Sequence, residues 1–224
     1  VRHAGYPDAF TVPGVANGLR TAALFAYQAD VSLTDVAFEN AGGDGVLWYN
    51  GGTGAVARTL SATGCAFTNV ESDGIEVELD TALDTVVVSG GVYSGIGGYP
   101  VLAPFRRAPG ITDTGTVGIS GGAMDADASL PATTFHVLMP VSVDVGRTLV
   151  LPAGCTLKFA SDAWLDVYGT LQSNGTTSAP VTLTTTSTTP APGVWGGLGL
   201  QTGASATLID TDIRWAGQAG AFFV

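Results

Sequence analysis

Basic residues are scarce in this chain: eight Lys and Arg stand against nineteen Asp and Glu in 224 residues, a net charge of −11. That balance argues against nucleic acid as a partner, because neutralising phosphates takes clustered Lys and Arg. Only two cysteines are present, Cys65 and Cys155. Two thiols ninety positions apart build neither a disulfide framework nor a metal centre. Each follows a glycine at the start of a strand-like run, the setting of a buried free thiol. His3 and His136 are the two histidines, too far apart in sequence to suggest a nucleophile–base pair or a His-rich metal site. No apolar run is long enough to span a bilayer. Charged residues of all kinds make up 12%, fewer than a helical protein of this length needs on its surface.

What is abundant is Gly, with 32 residues, and a hydrophobic fraction of 46% rich in Val and Ala, with many Thr beside it. β-branched residues and frequent glycines predict many short strands joined by tight turns. A repeat organises them. Val36-Ala37-Phe38-Glu39-Asn40 and the following Asp44-Gly45-Val46 align with Cys65-Ala66-Phe67-Thr68-Asn69 and Asp73-Gly74-Ile75, an offset of 29. A looser copy, Gly91-Val92-Tyr93-Ser94-Gly95, follows after 26 more. A period in the twenties with strands and no helical pattern predicts a β-solenoid. Further strands are predicted at Val141–Val143, Thr148–Leu151, Thr156–Phe159, Trp164–Val167, Val181–Thr184 and Thr207–Ile209. The fold class expected is all-β, a right-handed parallel β-helix over 1–224. About ten rungs at roughly 4.8 Å each would give a rod about 50 Å long.

Residues 213–224 also align without a gap on 1–12, an offset of 212. The match predicts one period of a longer solenoid, whose two ends are complementary in phase and stack on neighbouring copies or modules. It also makes the lack of a signal peptide uninformative, since a chain starting mid-motif would have lost one.

Leu151-Pro152-Ala153-Gly154-Cys155-Thr156-Leu157-Lys158-Phe159, Ala179-Pro180-Val181-Thr182-Leu183-Thr184 and Gly193-Val194-Trp195-Gly196-Gly197 resemble the secreted bacterial right-handed parallel β-helix modules related to the pectate-lyase-like superfamily. Gly97-Gly98-Tyr99-Pro100-Val101 is another phrase of those modules, and 105–132 matches least. The resemblance implies an extracellular or cell-surface setting. It implies no single reaction, because the fold carries lyases, hydrolases, adhesins and stalks.

Chemistry has few places to reside. Asp44 and Asp73 fall at equivalent positions of the repeat, with Glu76 and Glu78 close by, and stacked carboxylates suit Ca²⁺. The alternative is that Asp-Gly serves turns, with Asp bonding the backbone and Gly accepting positive φ. Paired carboxylates of a glycosidase have no better local match than Asp125-Ala126-Asp127, which reads as a turn. A lyase base would come from Arg106-Arg107 or Lys158. Arg106 and Arg107, with Tyr99 and Phe105, read as a protruding loop able to stack and pair with a glycan. Trp48-Tyr49 is a second surface candidate, because neighbours on a strand face opposite ways. Trp164 and Trp195 read as interior or corner residues. The functional expectation is a structural or adhesive module that builds a rod or fibre by head-to-tail stacking, without a convergent catalytic set. The alternative is a carbohydrate-active β-helix, either a polysaccharide lyase or a module binding glycan or calcium.

Overall fold

A computed structural model describes residues 10–11, 19–51, 56–78, 80–113 and 115–221. His3 and most of the terminal repeat (1–9, 12 and 222–224) lie outside the described residues. The protein is a parallel β-solenoid of about seven turns, 52% strand and 3% helix. Seven turns rather than ten follow from turn length. Thr134 and its partner Thr156 are 22 residues apart, but Thr156 and Thr182 are 26 apart and Thr170 and Ser205 are 35 apart. The longest of these turns carries the Pro-rich connection 187–193.

Two compact units divide the chain, Val1–Val117 and Gly118–Val224. In the first, three parallel ladders run side by side. Val31–Thr34, Thr59–Thr63 and Thr85–Ser89 form one, and Ala37–Ala41, Ala66–Val70 and Val92–Ile96 the next. Ala22–Tyr27, Asp44–Tyr49, Ile75–Glu78 and Val101–Ala103 form the third. The short pair Phe10–Thr11 and Leu19–Arg20 is antiparallel. Register places like on like, so Phe38 pairs with Phe67 and Phe67 with Tyr93. Their rings stack at 5.0 and 5.2 Å, both 5° from parallel. The corner between the first two ladders is left-handed at Asp35, Gly64 and Gly90, and the next corner at Asn40, Asn69 and Gly95. Asn, Asp and Gly are the residues that enter that region most readily. Asn69 Nδ2 donates to Asn40 Oδ1 at 3.2 Å, tying one corner to the next.

The second unit repeats the plan. Its ladders are Gly122–Met124, Val141–Val143, Leu165–Val167 and Leu198–Leu200; Ala128–Ser129, Thr148–Pro152, Thr170–Asn174 and Ser205–Ile209; and Thr134–Val137, Thr156–Phe159, Val181–Thr185 and Thr211–Ile213. Inward positions hold columns of aliphatic and aromatic residues, among them Leu149 over Leu171 and Phe135 over Leu157 over Leu183, all fully buried. Phe159 stacks on Trp195 at 4.3 Å. Cys65 and Cys155 are buried free thiols, and burial pushes Cys155 up to about 12. The segment 105–132, the part least like the repeat, supplies Gly122–Met124 and Ala128–Ser129, the first strands of two ladders. Among the described residues, no helix is long and apolar enough to cross a membrane, which says nothing of a β-barrel.

Candidate functional site

Three carboxylates meet on the third ladder of the first unit. Asp44 opens the strand Asp44–Tyr49, Asp73 lies in the turn before Ile75–Glu78, and Glu76 is the second residue of that strand. One oxygen from each lies within 4.8 Å of the other two. Asp44 and Asp73 are buried and Glu76 half-buried. Register causes the meeting, because Val46 pairs with Ile75 and so brings the two Asp-Gly pairs onto adjacent rungs. The aspartates clip rungs together: Asp73 N–H donates to Asp44 Oδ1 at 3.0 Å, and Tyr99 N–H donates to Asp73 Oδ1 at 2.5 Å.

The aspartates bond the backbone as the turn expectation had it, but the glycines beside them serve space rather than positive φ, which corrects its glycine half. Gly45 and Gly74 are not in the left-handed region. A Cβ on Gly45 would lie 2.6 Å from the Gly74 carbonyl oxygen, and one on Gly74 would lie 2.5 Å from that of Pro100. Rung spacing leaves no room for a side chain there.

Like charges in a half-dry site resist ionisation. Burial pushes Glu76 up to about 8, helped by the charges of Asp44 and Glu78 and by its hydrogen bond to Asp44. Burial also raises Asp73, opposed by the Tyr99 N–H bond and aided by the charge of Asp44. Glu78, expected as a fourth ligand, is not one of the three that converge; it acts on Glu76 through its charge. Burial and the neighbouring carboxylates favour the protonated form of Glu76. Chemically the cluster also offers three oxygens to a hard cation.

A folded-state value raised above the usual one means that the native state keeps a proton the unfolded chain releases. Stability from Glu76 is therefore complete below about 4.5 and is lost as pH rises through about 8. Thermal unfolding between pH 5 and 8.5 should show a fall of about 2–4 kcal/mol, or roughly 5–10 °C. Glu76→Gln, which keeps a donor toward Asp44, should flatten that slope. An equal slope in the variant would show that Glu76 does not hold the proton.

The structure overturns the surface placement of the other sequence candidates. All six residues of Asp44–Tyr49 are buried, so alternation puts neither aromatic in solvent. Trp48 Nε1 donates to the Ala29 carbonyl at 2.9 Å, and Tyr49 packs on Tyr27 at 5.5 Å. The expected protruding loop is a 3₁₀ helix, Phe105–Gly110, with Phe105, Arg107 and Ala108 inside. Arg107 is committed to Asp80 and to the carbonyls of Thr81 and Asp84, and Arg106 lies 3.9 Å from Asp80. Tyr99 and Arg106 remain partly exposed. Trp195 is fully buried, whereas Trp164 is partly exposed.

One signal was missed in sequence. In Trp164-Leu165-Asp166-Val167-Tyr168, period-2 alternation turns Trp164, Asp166 and Tyr168 to one face, while Leu165 and Val167 are fully buried. No known protein family, curated protein or solved structure matches this chain. What fold and site define is a class, the parallel β-solenoids, with a cluster of three carboxylates on one ladder.

Proposed function

We propose that this chain is a structural module of an extracellular or cell-surface protein, extending a solenoid by rung-on-rung stacking and offering its side to glycans. One observation carries the stacking: three inward columns of the second unit end on uncovered aliphatic side chains. Val143 and Val167 are fully buried, yet the next residue of that column, Leu200, is 53% exposed. Leu151 and Ser173 are buried and Leu208 above them is 44% exposed. Leu157 and Leu183 are buried and Ile213 is 42% exposed. Among the described residues these core positions have no rung above them, and the strands that carry them are the last of their sheets. The occupant that completes both the columns and the backbone pairing is another rung of the same kind, in the same polypeptide or in a second copy.

Sedimentation velocity over rising concentration tests this. The chain should associate, since covering the three half-exposed side chains is favourable by about 1 kcal/mol each. Leu208→Asp with Ile213→Asp should weaken association at least tenfold. A monomer at every concentration would sink stacking between separate copies.

The convergence of Asp44, Asp73 and Glu76 supports a second reading, Ca²⁺ binding on the first unit. Millimolar CaCl₂ at pH 8 should then raise the unfolding temperature of the parent protein by several degrees and leave Glu76→Gln unmoved. No shift in either protein removes the reading.

A further inference from the structure

A second feature, on the outer face of the second unit, is a shallow trough of about 400 Å³ lined by Gly122, Ala123, Pro140, Ser142, Trp164, Asp166 and Tyr168. Register explains how it forms. The outward residues of successive rungs are Ala123, Ser142, Asp166 and Gly199, paired in that order. Asp166 is flanked by Ser142 on one rung and by a glycine on the other, so a groove running from rung to rung is left open along the ladder. Trp164 precedes the strand Leu165–Val167 and Tyr168 follows it, so the two aromatics stand at opposite edges of the floor. Tyr168 is 42% exposed.

The polar groups of this trough are fixed before any ligand arrives. Trp164 Nε1 donates to Asp166 Oδ2 at 2.8 Å, and Gln201 Nε2 donates to Asp166 Oδ1 at 2.7 Å. The indole and the carboxylate therefore hold each other's orientation. Each carboxylate oxygen keeps lone-pair capacity for a further donor, and the Ser142 and Tyr168 hydroxyls can both donate and accept. A concave site with aromatic walls and a few oriented polar groups is the usual form of a small-molecule site.

We propose that this trough binds a neutral oligosaccharide chain laid across successive rungs. Sugar rings offer apolar C–H faces to Trp164 and Tyr168, and hydroxyl donors to Asp166. Charge decides against an acidic glycan: the lining contains a carboxylate and neither Lys nor Arg, in a chain of net charge −11. The two N–H donors already placed on Asp166 reduce its need for a cationic partner. This deepens the glycan part of the proposed function, and it stands or falls apart from the stacking part, because a monomer carries the whole trough.

The test is titration of the intact chain with cellohexaose, mannohexaose, xylohexaose and laminarihexaose, with hexagalacturonate and hexalysine as charged counterparts. Calorimetry and tryptophan fluorescence are the readouts. At least one neutral hexasaccharide should bind with a Kd below about 1 mM and shift the emission. Tyr168→Ala and Asp166→Ala should each weaken that binding at least tenfold with the far-ultraviolet spectrum unchanged. Tyr168→Ala is the decisive variant, since its side chain is exposed and its loss leaves the core intact. No binding by any neutral probe at 5 mM, tighter binding of either charged probe, or unaltered affinity in Tyr168→Ala would each overturn the proposal. Sedimentation of the same samples keeps this result separate from the stacking experiment.

Discussion

Replacing Arg107 by alanine should destabilise the protein by about 3–5 kcal/mol, lowering its unfolding temperature by roughly 10 °C. The side chain is 10% exposed and that of its partner Asp80 is 4% exposed. Its guanidinium spans three acceptors: Nε donates to Asp80, Nη1 to the Asp84 carbonyl at 2.5 Å, and Nη2 to the Thr81 carbonyl. Alanine leaves a buried carboxylate uncompensated, one that burial already pushes upward against the pull of Arg107. Arg106, at 3.9 Å from the same carboxyl group, is too distant to replace the direct bonds. Arg107→Lys should recover little, because a single ammonium cannot reproduce the planar fork. Urea denaturation reads the effect directly. A loss below about 1 kcal/mol would mean that the segment 80–84 is not held by this side chain.

Phe67→Ala should produce a loss of similar size, about 3–5 kcal/mol. Phe67 is the middle ring of three, in parallel contact with Phe38 at 5.0 Å and with Tyr93 at 5.2 Å. It is fully buried, and its edge fills the space over Gly45, where a Cβ would lie 2.6 Å from the ring. Removing it opens a cavity between two rungs that cannot collapse, since the backbone spacing is fixed by the ladder hydrogen bonds. The loss exceeds simple transfer because both stacked pairs go at once. Hydrogen exchange should quicken most in Ala37–Ala41 and Val92–Ile96, the strands on either side. Phe67→Leu keeps most of the volume and should lose less than half as much. A negligible loss in Phe67→Leu would show that the stack contributes nothing beyond bulk, and equal losses in the two variants would show that volume does not set the effect.

Much of this architecture was legible because a solenoid writes its period into the chain. The Ala-Phe-x-Asn phrases at Ala37 and Ala66 sit opposite one another in the ladder, with the offset of 29 read from sequence. Strand positions in the second half were equally readable, and Val141–Val143 and Thr156–Phe159 match residue for residue. The acidic cluster was legible to the extent that Asp44, Asp73 and Glu76 recur near one repeat position. Glu78, chosen on proximity in sequence alone, falls outside it.

Trp48, Tyr49, Phe105 and Arg107 show where that reading stops. Alternation says which way a side chain leaves its strand, but not whether another segment covers that side. Both faces of Asp44–Tyr49 are covered, and a stretch poor in repeats folds inward as a 3₁₀ helix around a buried guanidinium. The sequence by itself determined the period, the parallel stacking of like on like, and the Asn, Asp and Gly corners, because each depends on a residue and its counterpart one turn away. Tertiary structure alone decided burial, the upward push on Glu76, the fixed Trp164–Asp166–Gln201 network and the uncovered Leu200, Leu208 and Ile213. Each of those depends on what lies across the ladder or on the next rung, and no local pattern carries that information.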